Sequence, residues 1–190
     1  MKPDKSIDRR VARTQRLLHE ALISLILERG WNDVSVREVC ERADVGRSTF
    51  YVHFGDKEEL LLSGFALFRS ELQRQVKTEG TKPLAFVPLL IAHVHSHRRL
   101  WRALVGKQCG PAVQKRLSEL IAEMLERELA ETVAPGPRRS AAVRYMAGAF
   151  LQLLVWWLDA RSGLDVGELE ELLCELTRAV LAQAKRGSLP

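Results

Sequence analysis

Apolar residues recur at helical spacing along nearly the whole chain, and this periodicity restricts the fold more than any other feature of the sequence. Leu, Val, Phe and Trp side chains return every three or four positions, and no stretch alternates apolar with polar residues for long enough to predict a strand. Turn-forming residues at Gly30, Gly55 and 134–137 separate the helical stretches. We therefore predict an all-α protein of nine helices.

Several helix starts carry a capping box, in which a short polar residue is followed three positions later by glutamate. Ser35, Asp56 and Asp165 are the three predicted capping residues. The predicted helices cover about residues 6–29, 35 to just before 43, 47–53, 56–77, 83 or 88 to 97, 98–105, 110 to about 133, 138–160, and 165 onwards.

The pattern divides into three helices before Gly55 and six longer ones after it. We predict an N-terminal helix-turn-helix domain over residues 1–55, with the helix-turn-helix unit at about 34–53. Residues 56–190 are predicted to form a C-terminal domain.

Charge and cysteine usage narrow the class of protein. The 190 residues carry a net charge of +5, and six of the first 16 residues are basic against two acidic ones, so the positive excess is local. The three cysteines include no CxxC pair, which favours reduced thiols. The longest apolar run, 145–158, is shorter than the roughly 20 residues of a membrane span, and charges interrupt the basic N-terminus. We expect a cytoplasmic protein with no membrane partner.

A turn of about three residues, Asp44 to Gly46, joins the second and third helices, and this length sets two helices steeply across each other. Phe50 and Phe54 lie one helical turn apart and are expected to point inward. The small core of the unit is predicted to consist of Val36, Val39, Cys40, Ala43, Val45, Phe50 and Phe54.

The remaining side chains of the third helix would then face outward, where a helix laid in the major groove of DNA needs them. Arg47 is suited to guanine, and longer donors on the flanks are suited to phosphates. Two helix N-termini, at Ser35 and Lys57, are further candidate phosphate sites. The predicted DNA contacts are Arg13, Thr14, Ser35, Arg47, Ser48, Thr49, Tyr51, Val52, His53 and Lys57.

The stretch VSVREVCERADVGRSTFYVHFGDKEELL, residues 34–61, resembles the N-terminal domain of the TetR family of transcriptional regulators. The matching features are Gly30, the turn 43–46, Thr49 with Tyr51, the pair 53–54, and the pair 57–58. The resemblance implies an all-α homodimer that binds a pseudo-palindromic operator, most often as a repressor, and that a small molecule releases. Gly46 departs from the pattern, since such proteins often carry serine there.

Two surfaces of the C-terminal half follow from this expectation. Stripe positions suggest a pocket for a hydrophobic or aromatic effector, lined by Phe65, Phe68, His93, His97, Trp101, Met124 and Phe150. The eighth helix is apolar nearly all round, so one side plausibly meets a second copy of the chain beside the ninth helix. The predicted interface residues are Ala142, Met146, Ala149, Leu153, Trp157, Leu169, Leu173, Leu176 and Val180.

Two other classes of function stay open at this level. His93 and His97 lie one helical turn apart and, with Cys109, suggest a metal-dependent helical enzyme, although no third ligand has suitable spacing. Alternatively, the chain is a helical sensor module that no longer binds DNA. The sequence contains no recognisable catalytic motif, and we expect no enzymatic activity, no metal and no cofactor.

Overall fold

The computed structural model describes residues 5–79, 83–105, 110–130, 133–159 and 162–186. These ranges contain nine α-helices and no strand, which confirms the predicted all-α class. The helices are α1 (Lys5–Arg29), α2 (Val36–Ala43), α3 (Arg47–His53), α4 (Lys57–Glu79), α5 (Phe86–Ser96), α6 (Arg98–Val105), α7 (Gly110–Ala130), α8 (Pro137–Leu158) and α9 (Val166–Arg186).

Side chains cap the helices where the sequence predicts it. The Ser35 hydroxyl accepts a hydrogen bond from the Glu38 amide (3.3 Å), and the Glu38 carboxylate accepts one from the Ser35 amide (2.9 Å). The box at Asp165 closes in the same reciprocal way, with bonds of 2.9 and 2.8 Å. At Asp56 the carboxylate accepts from the Glu59 amide at 2.8 Å. These bonds satisfy amides that have no partner inside the helix.

The start of α5 differs from the prediction, because the helix begins at Phe86 rather than at either proline. Pro88 lies within its first turn, where a missing N–H removes no helical hydrogen bond. Leu84 precedes the helix with a φ of 61°, in the left-handed region.

The buried side chains form two hydrophobic clusters. The first joins α1, α2, α3 and the start of α4, and it also takes in Leu104 from α6 and Val113 from α7. The second fills the space among α4, α5, α6, α7, α8 and α9. The three N-terminal helices therefore rest on α6 and α7 rather than closing a core alone. The domain boundary near Gly55 stays a prediction.

Helix α8 runs through the middle of the second cluster. Eight of its side chains are buried, among them Phe150, Leu154 and Trp157. Within the described residues, α8 is the one helix that is long and apolar enough by length and composition to cross a bilayer. It is longer than the apolar run read from the sequence because it begins upstream, at Pro137. A core helix meets the same criterion, and 44% of its most apolar stretch is buried inside the chain.

Candidate nucleic-acid interface and ligand cavity

The turn between α2 and α3 depends on one left-handed residue. Asp44 has φ 52° and ψ 46°, and its amide donates to the Cys40 and Glu41 carbonyls. The Val45 amide also donates to the Cys40 carbonyl, at 3.0 Å. Aspartate tolerates this conformation better than most residues. The turn ends α2 abruptly and lets α3 begin at Arg47.

The two faces of α3 separate as the sequence predicts. Phe50 is fully buried and Phe54 is 5% exposed, so both belong to the first cluster. Tyr51 is 52% exposed and Val52 is 78% exposed. The remaining predicted contacts on this helix are Arg47, Ser48 and Thr49, which are exposed, and His53, which is partly buried.

The Phe50 ring meets the Tyr51 ring edge to face at 5.3 Å between centroids, which holds the tyrosine on the flank of the helix. On α1, Arg13 is exposed and Thr14 is partly buried. The polar edge of α3 thus faces solvent and is available to a partner.

The structure gives Lys57 a different role from the predicted phosphate contact. Its ammonium donates to the Trp31 carbonyl at 2.8 Å and to the Val34 carbonyl at 2.7 Å. It also lies 4.5 Å from the centroid of the Trp31 ring, a cation–π distance. These contacts hold the loop between α1 and α2 against the start of α4, and they favour a positioning role for Lys57 over the predicted phosphate contact.

Ser35 also differs from its predicted role, because its amide and hydroxyl both bond to Glu38. Hydrogen bonds from Ser35 and from the Arg29 guanidinium lower the pKa of Glu38 to about 2. A charged carboxylate therefore occupies the N-terminus of α2 and would repel a phosphate there. Ser35 therefore caps the helix, and this arrangement disfavours the predicted DNA contact at Ser35.

A cavity of about 210 Å³ lies between α1, α4, α5 and α6. Five of the seven predicted ligand residues line it: Phe65, Phe68, His93, His97 and Trp101. Met124 and Phe150 do not, since each is 3% exposed inside the second cluster. Phe150 stacks on Phe86 at 6.0 Å between ring centroids. Helical periodicity shows that a side chain is buried without showing what it packs against, so it did not separate these two core residues from those that line the cavity.

Six further lining residues were not predicted from the sequence: His19, Ile23, Leu61, Gly64, Leu100 and Leu104. Two of them come from α1, which the periodicity assigns to the N-terminal domain. No local signal in the sequence indicates that α1 forms a wall of this cavity. A ligand here would touch the helix that supports the helix-turn-helix unit.

Histidines supply the polar atoms of the cavity. The His93 ring stacks on Phe68 at 4.1 Å and on His97 at 4.6 Å between centroids. Burial, with a smaller effect from the neighbouring His97, lowers the pKa of His93 to about 4, so this ring is neutral at pH 7. His97 Nδ1 lies 3.1 Å from the His93 carbonyl oxygen, to which it donates.

On the opposite wall, His19 Nε2 lies 2.8 Å from Ser63 Oγ. The Ser63 hydroxyl already donates to the Leu60 carbonyl at 2.8 Å. It therefore accepts the hydrogen bond from His19, which carries its proton on Nε2. Burial lowers the pKa of His19, which favours its neutral form. Its Nδ1 then holds a free lone pair, close to Gly64, where an added Cβ would lie 3.4 Å away.

An exposed apolar face runs along α8 and α9. Tyr145 is 66% exposed, Trp156 is 48% exposed and Leu176 is 53% exposed. Of the predicted interface residues, five keep accessible surface: Ala142, Ala149, Leu153, Leu176 and Val180.

The other four predicted interface residues are Met146, Trp157, Leu169 and Leu173, each at most 4% exposed. They have almost no surface to offer a second copy, so the prediction is corrected and they are core residues of one chain. Tyr145 and Trp156 were missed because periodicity marks an apolar helix but does not show which of its sides faces out.

Residues 18–63 match the family described as "Bacterial regulatory proteins, tetR family". The HTH-type transcriptional repressor KstR of Rhodococcus jostii (strain RHA1) is 28% identical over 184 residues, which cover 91% of this chain and 86% of that protein. Residues 18–63 of this chain are therefore similar to the DNA-binding domain of TetR-family regulators. The likeness to KstR extends beyond the helix-turn-helix unit into the C-terminal half.

Solved structures of TetR-family proteins share the fold. A TetR transcriptional regulator from Streptococcus agalactiae 2603V superimposes with a TM-score of 0.70 at 23% identity, covering 90% of this chain and 97% of that one. FadR of Thermus thermophilus, a TetR-family repressor in complex with lauroyl-CoA, gives a TM-score of 0.60 at 21% identity, covering 86% and 93%.

Gly46, which stands where the resemblance to the TetR family leads us to expect serine, has an ordinary backbone. Its φ of −61° and ψ of 141° suit any residue, and an added Cβ would lie 3.7 Å from Thr49 Oγ1, an ordinary contact. The glycine is therefore not required by the turn, and α3 begins without a side-chain cap.

The metal hypothesis finds little geometric support in the part of the chain that the structure describes. His93 and His97 face each other, but His95 lies on another side of α5, with its ring 6.2 Å from that of Trp157. The described residues contain no group of three or more potential ligands. Cys109 lies outside the described residues.

Proposed function

We propose that the protein is a homodimeric, ligand-responsive transcriptional repressor that binds a pseudo-palindromic operator in the cytoplasm. The observation that carries the proposal is the exposed polar edge of α3 opposite the fully buried Phe50. The match of residues 18–63 to the TetR family supports a role in transcriptional regulation. The relative KstR is a repressor by name, which supports repression rather than activation.

Helix α3 would enter the major groove with its N-terminal residues toward the base edges. Arg47 offers two parallel donors to a guanine, and Ser48 and Thr49 beside it are short enough to reach base edges without a clash. Tyr51 and His53 on the flanks, with Arg13 and Thr14 on α1, would contact the phosphates and fix the register.

Dimerisation would place two such helices about one turn of DNA apart, as a palindromic site requires. We propose that the exposed face of α8 and α9 forms the interface. When a second copy covers the exposed Trp156 and Leu176, the loss of apolar surface from water stabilises the dimer. Ala142, Ala149, Leu153 and Val180 would lie in the same interface, with Tyr145 in addition.

The cavity between α1 and α4 to α6 would hold the effector. FadR of Thermus thermophilus, with its bound lauroyl-CoA, supports ligand control in a protein of this fold. A ligand that prefers the arrangement unable to bind DNA would release the operator, and coupling of about 1–3 kcal/mol is the usual scale.

DNA binding is tested by fluorescence anisotropy with a fragment from upstream of the gene and an unrelated fragment of equal length. We expect salt-sensitive binding. Arg47→Ala should weaken specific binding by about 1–3 kcal/mol, whereas the matched control Arg74→Ala on α4, whose side chain is 69% exposed, should not. Equal binding by both variants and the unmodified protein would refute the assignment of α3.

The oligomeric state is tested by light scattering after size exclusion. Trp156→Glu on α8 should shift the protein toward monomer, because a charge would be buried at the interface. Leu67→Glu on α4 is the control, since Leu67 is also exposed (69%, against 48% for Trp156) but lies on a helix outside the proposed interface. A Trp156→Glu protein that stays dimeric would place the interface elsewhere.

A further inference from the structure

We propose that the cavity between α1 and α4 to α6 takes a small, uncharged aromatic molecule of one or two rings that carries a hydroxyl or N–H donor, and that it does not take an acyl-CoA. The inference rests on the proposed function, in which this cavity is the effector site, and it specifies the chemical class of the effector.

The size of the cavity sets the first limit. Its volume of about 210 Å³ is below the roughly 300–1,000 Å³ typical of sites for drug-sized ligands. An apolar cavity of about 150 Å³ is enough to bind benzene. One or two fused rings therefore fit. A coenzyme A thioester with a long acyl chain occupies several times the volume of this cavity.

The walls favour a flat ring. Trp101 meets Phe65 edge to face at 5.8 Å and Phe68 at 6.1 Å between centroids. The rings of Phe68, His93 and His97 form an adjoining wall, with successive rings tilted by 28° and 31°. Offset stacking and edge-to-face contact both stabilise an aromatic guest beyond the burial of its area.

Charge sets the second limit. None of the 11 described residues that line the cavity is Lys, Arg, Asp or Glu. Burial lowers the pKa of His93 to about 4 and also lowers the pKa of His19, so both shifts favour the neutral imidazole. A carboxylate or phosphate in the cavity would lose its hydration without gaining a counter-charge, which is strongly unfavourable.

The free lone pair on His19 Nδ1 selects the polar group of the ligand. Because Nε2 donates a hydrogen bond to Ser63 Oγ, Nδ1 of this imidazole can only accept one. A phenol or an indole supplies the matching donor, and a carboxylate supplies only acceptors. The same residue belongs to α1, so the ligand would contact the DNA-binding domain directly.

The test compares 2-naphthol with 2-naphthoate and lauroyl-CoA by isothermal titration calorimetry on the full-length protein. The first two probes share a ring system and differ in charge at pH 7. We expect saturable binding of 2-naphthol, at least about tenfold weaker binding of 2-naphthoate, and no binding of lauroyl-CoA. Equal or tighter binding of either anionic probe, or no saturable binding of 2-naphthol, would overturn the inference.

Two variants locate the site. Ile23→Phe fills the cavity from α1 and should reduce 2-naphthol affinity about tenfold or more, whereas Leu27→Phe changes an exposed residue on the same helix and should leave it unchanged. If the Ile23→Phe protein does not fold, Leu100→Phe, which fills the cavity from α6, is used in its place. Unchanged affinity in a folded filling variant would place the ligand elsewhere.

Operator binding is measured on the same samples. Loss of operator binding by the unmodified protein would refute the proposed regulator, whereas intact operator binding without aromatic binding would refute only the ligand class.

Discussion

Replacement of Lys57 by methionine separates two roles that the sequence does not distinguish. A lysine at the start of α4 is suited to a DNA phosphate, but in the structure its ammonium donates to the Trp31 and Val34 carbonyls. Methionine keeps most of the length of the side chain and removes the charge and the donors. A positioning role predicts lost stability, and a phosphate role predicts weaker, less salt-sensitive DNA binding.

The magnitude follows from the contacts. Each hydrogen bond to a charged group contributes about 1.5–3 kcal/mol to stability, and the cation–π contact with Trp31 adds about 0.5–1 kcal/mol. Because Lys57 is only partly buried, water can replace part of the hydrogen bonding that the Trp31 and Val34 carbonyls lose. We therefore expect Lys57→Met to lower the free energy of unfolding by about 2–4 kcal/mol.

The assay is urea denaturation followed by circular dichroism, with anisotropy measurements of operator binding at several salt concentrations. Lys77→Met, an exposed lysine on the same helix, is the matched control and should be within about 0.5 kcal/mol of the unmodified protein. For the folded Lys57→Met protein, the dependence of log K on log salt should be unchanged. Unchanged stability with a salt slope reduced by about one would refute the positioning role.

Three further predictions concern stability and are measured by urea denaturation. Ser35→Ala removes the cap of α2 and should cost about 1 kcal/mol. Phe50→Ala empties the centre of the first cluster and should cost about 3–5 kcal/mol, enough to abolish operator binding through unfolding. His93 has its pKa lowered to about 4 in the folded chain, so the unfolded chain binds its proton first, and stability falls as pH drops from about 6.5 toward 4. His93→Phe should remove about 1–2 kcal/mol of that loss of stability, since water partly screens a ring that is only partly buried.

The sequence predicted the helices well because their ends depend on local chemistry. Ser35 and Asp165 cap the helix that follows them through atoms three residues away, so the pattern is visible in a short window. The inward and outward sides of α3 were likewise predictable, since two phenylalanines one turn apart fix the orientation of a seven-residue helix.

Contacts between distant segments could not be predicted in this way. The choice of Lys57 between phosphate and the Trp31 carbonyl depends on a loop 26 residues away. On α8, adjacent tryptophans have opposite surroundings: Trp157 donates to the Leu164 carbonyl in the core, while Trp156 is half-exposed. Hydrophobic periodicity describes one helix at a time, and these outcomes depend on how helices pack against each other.

Helix α6 connects the proposed ligand cavity directly to the elements that support the two proposed interfaces. Trp101 lines the cavity, and Leu104 lines it too while packing into the first cluster with α1 to α3. Arg98, one turn earlier, donates to the Trp157 carbonyl at 2.8 Å and covers the Trp157 ring at 4.5 Å, at the end of α8. Because one eight-residue helix makes all three contacts, a ligand that displaces it would alter the support of the helix-turn-helix unit and of the dimer face together. Coupling between sites requires such a shared element with differing contacts in two states, and α6 is the element of this chain placed to provide it.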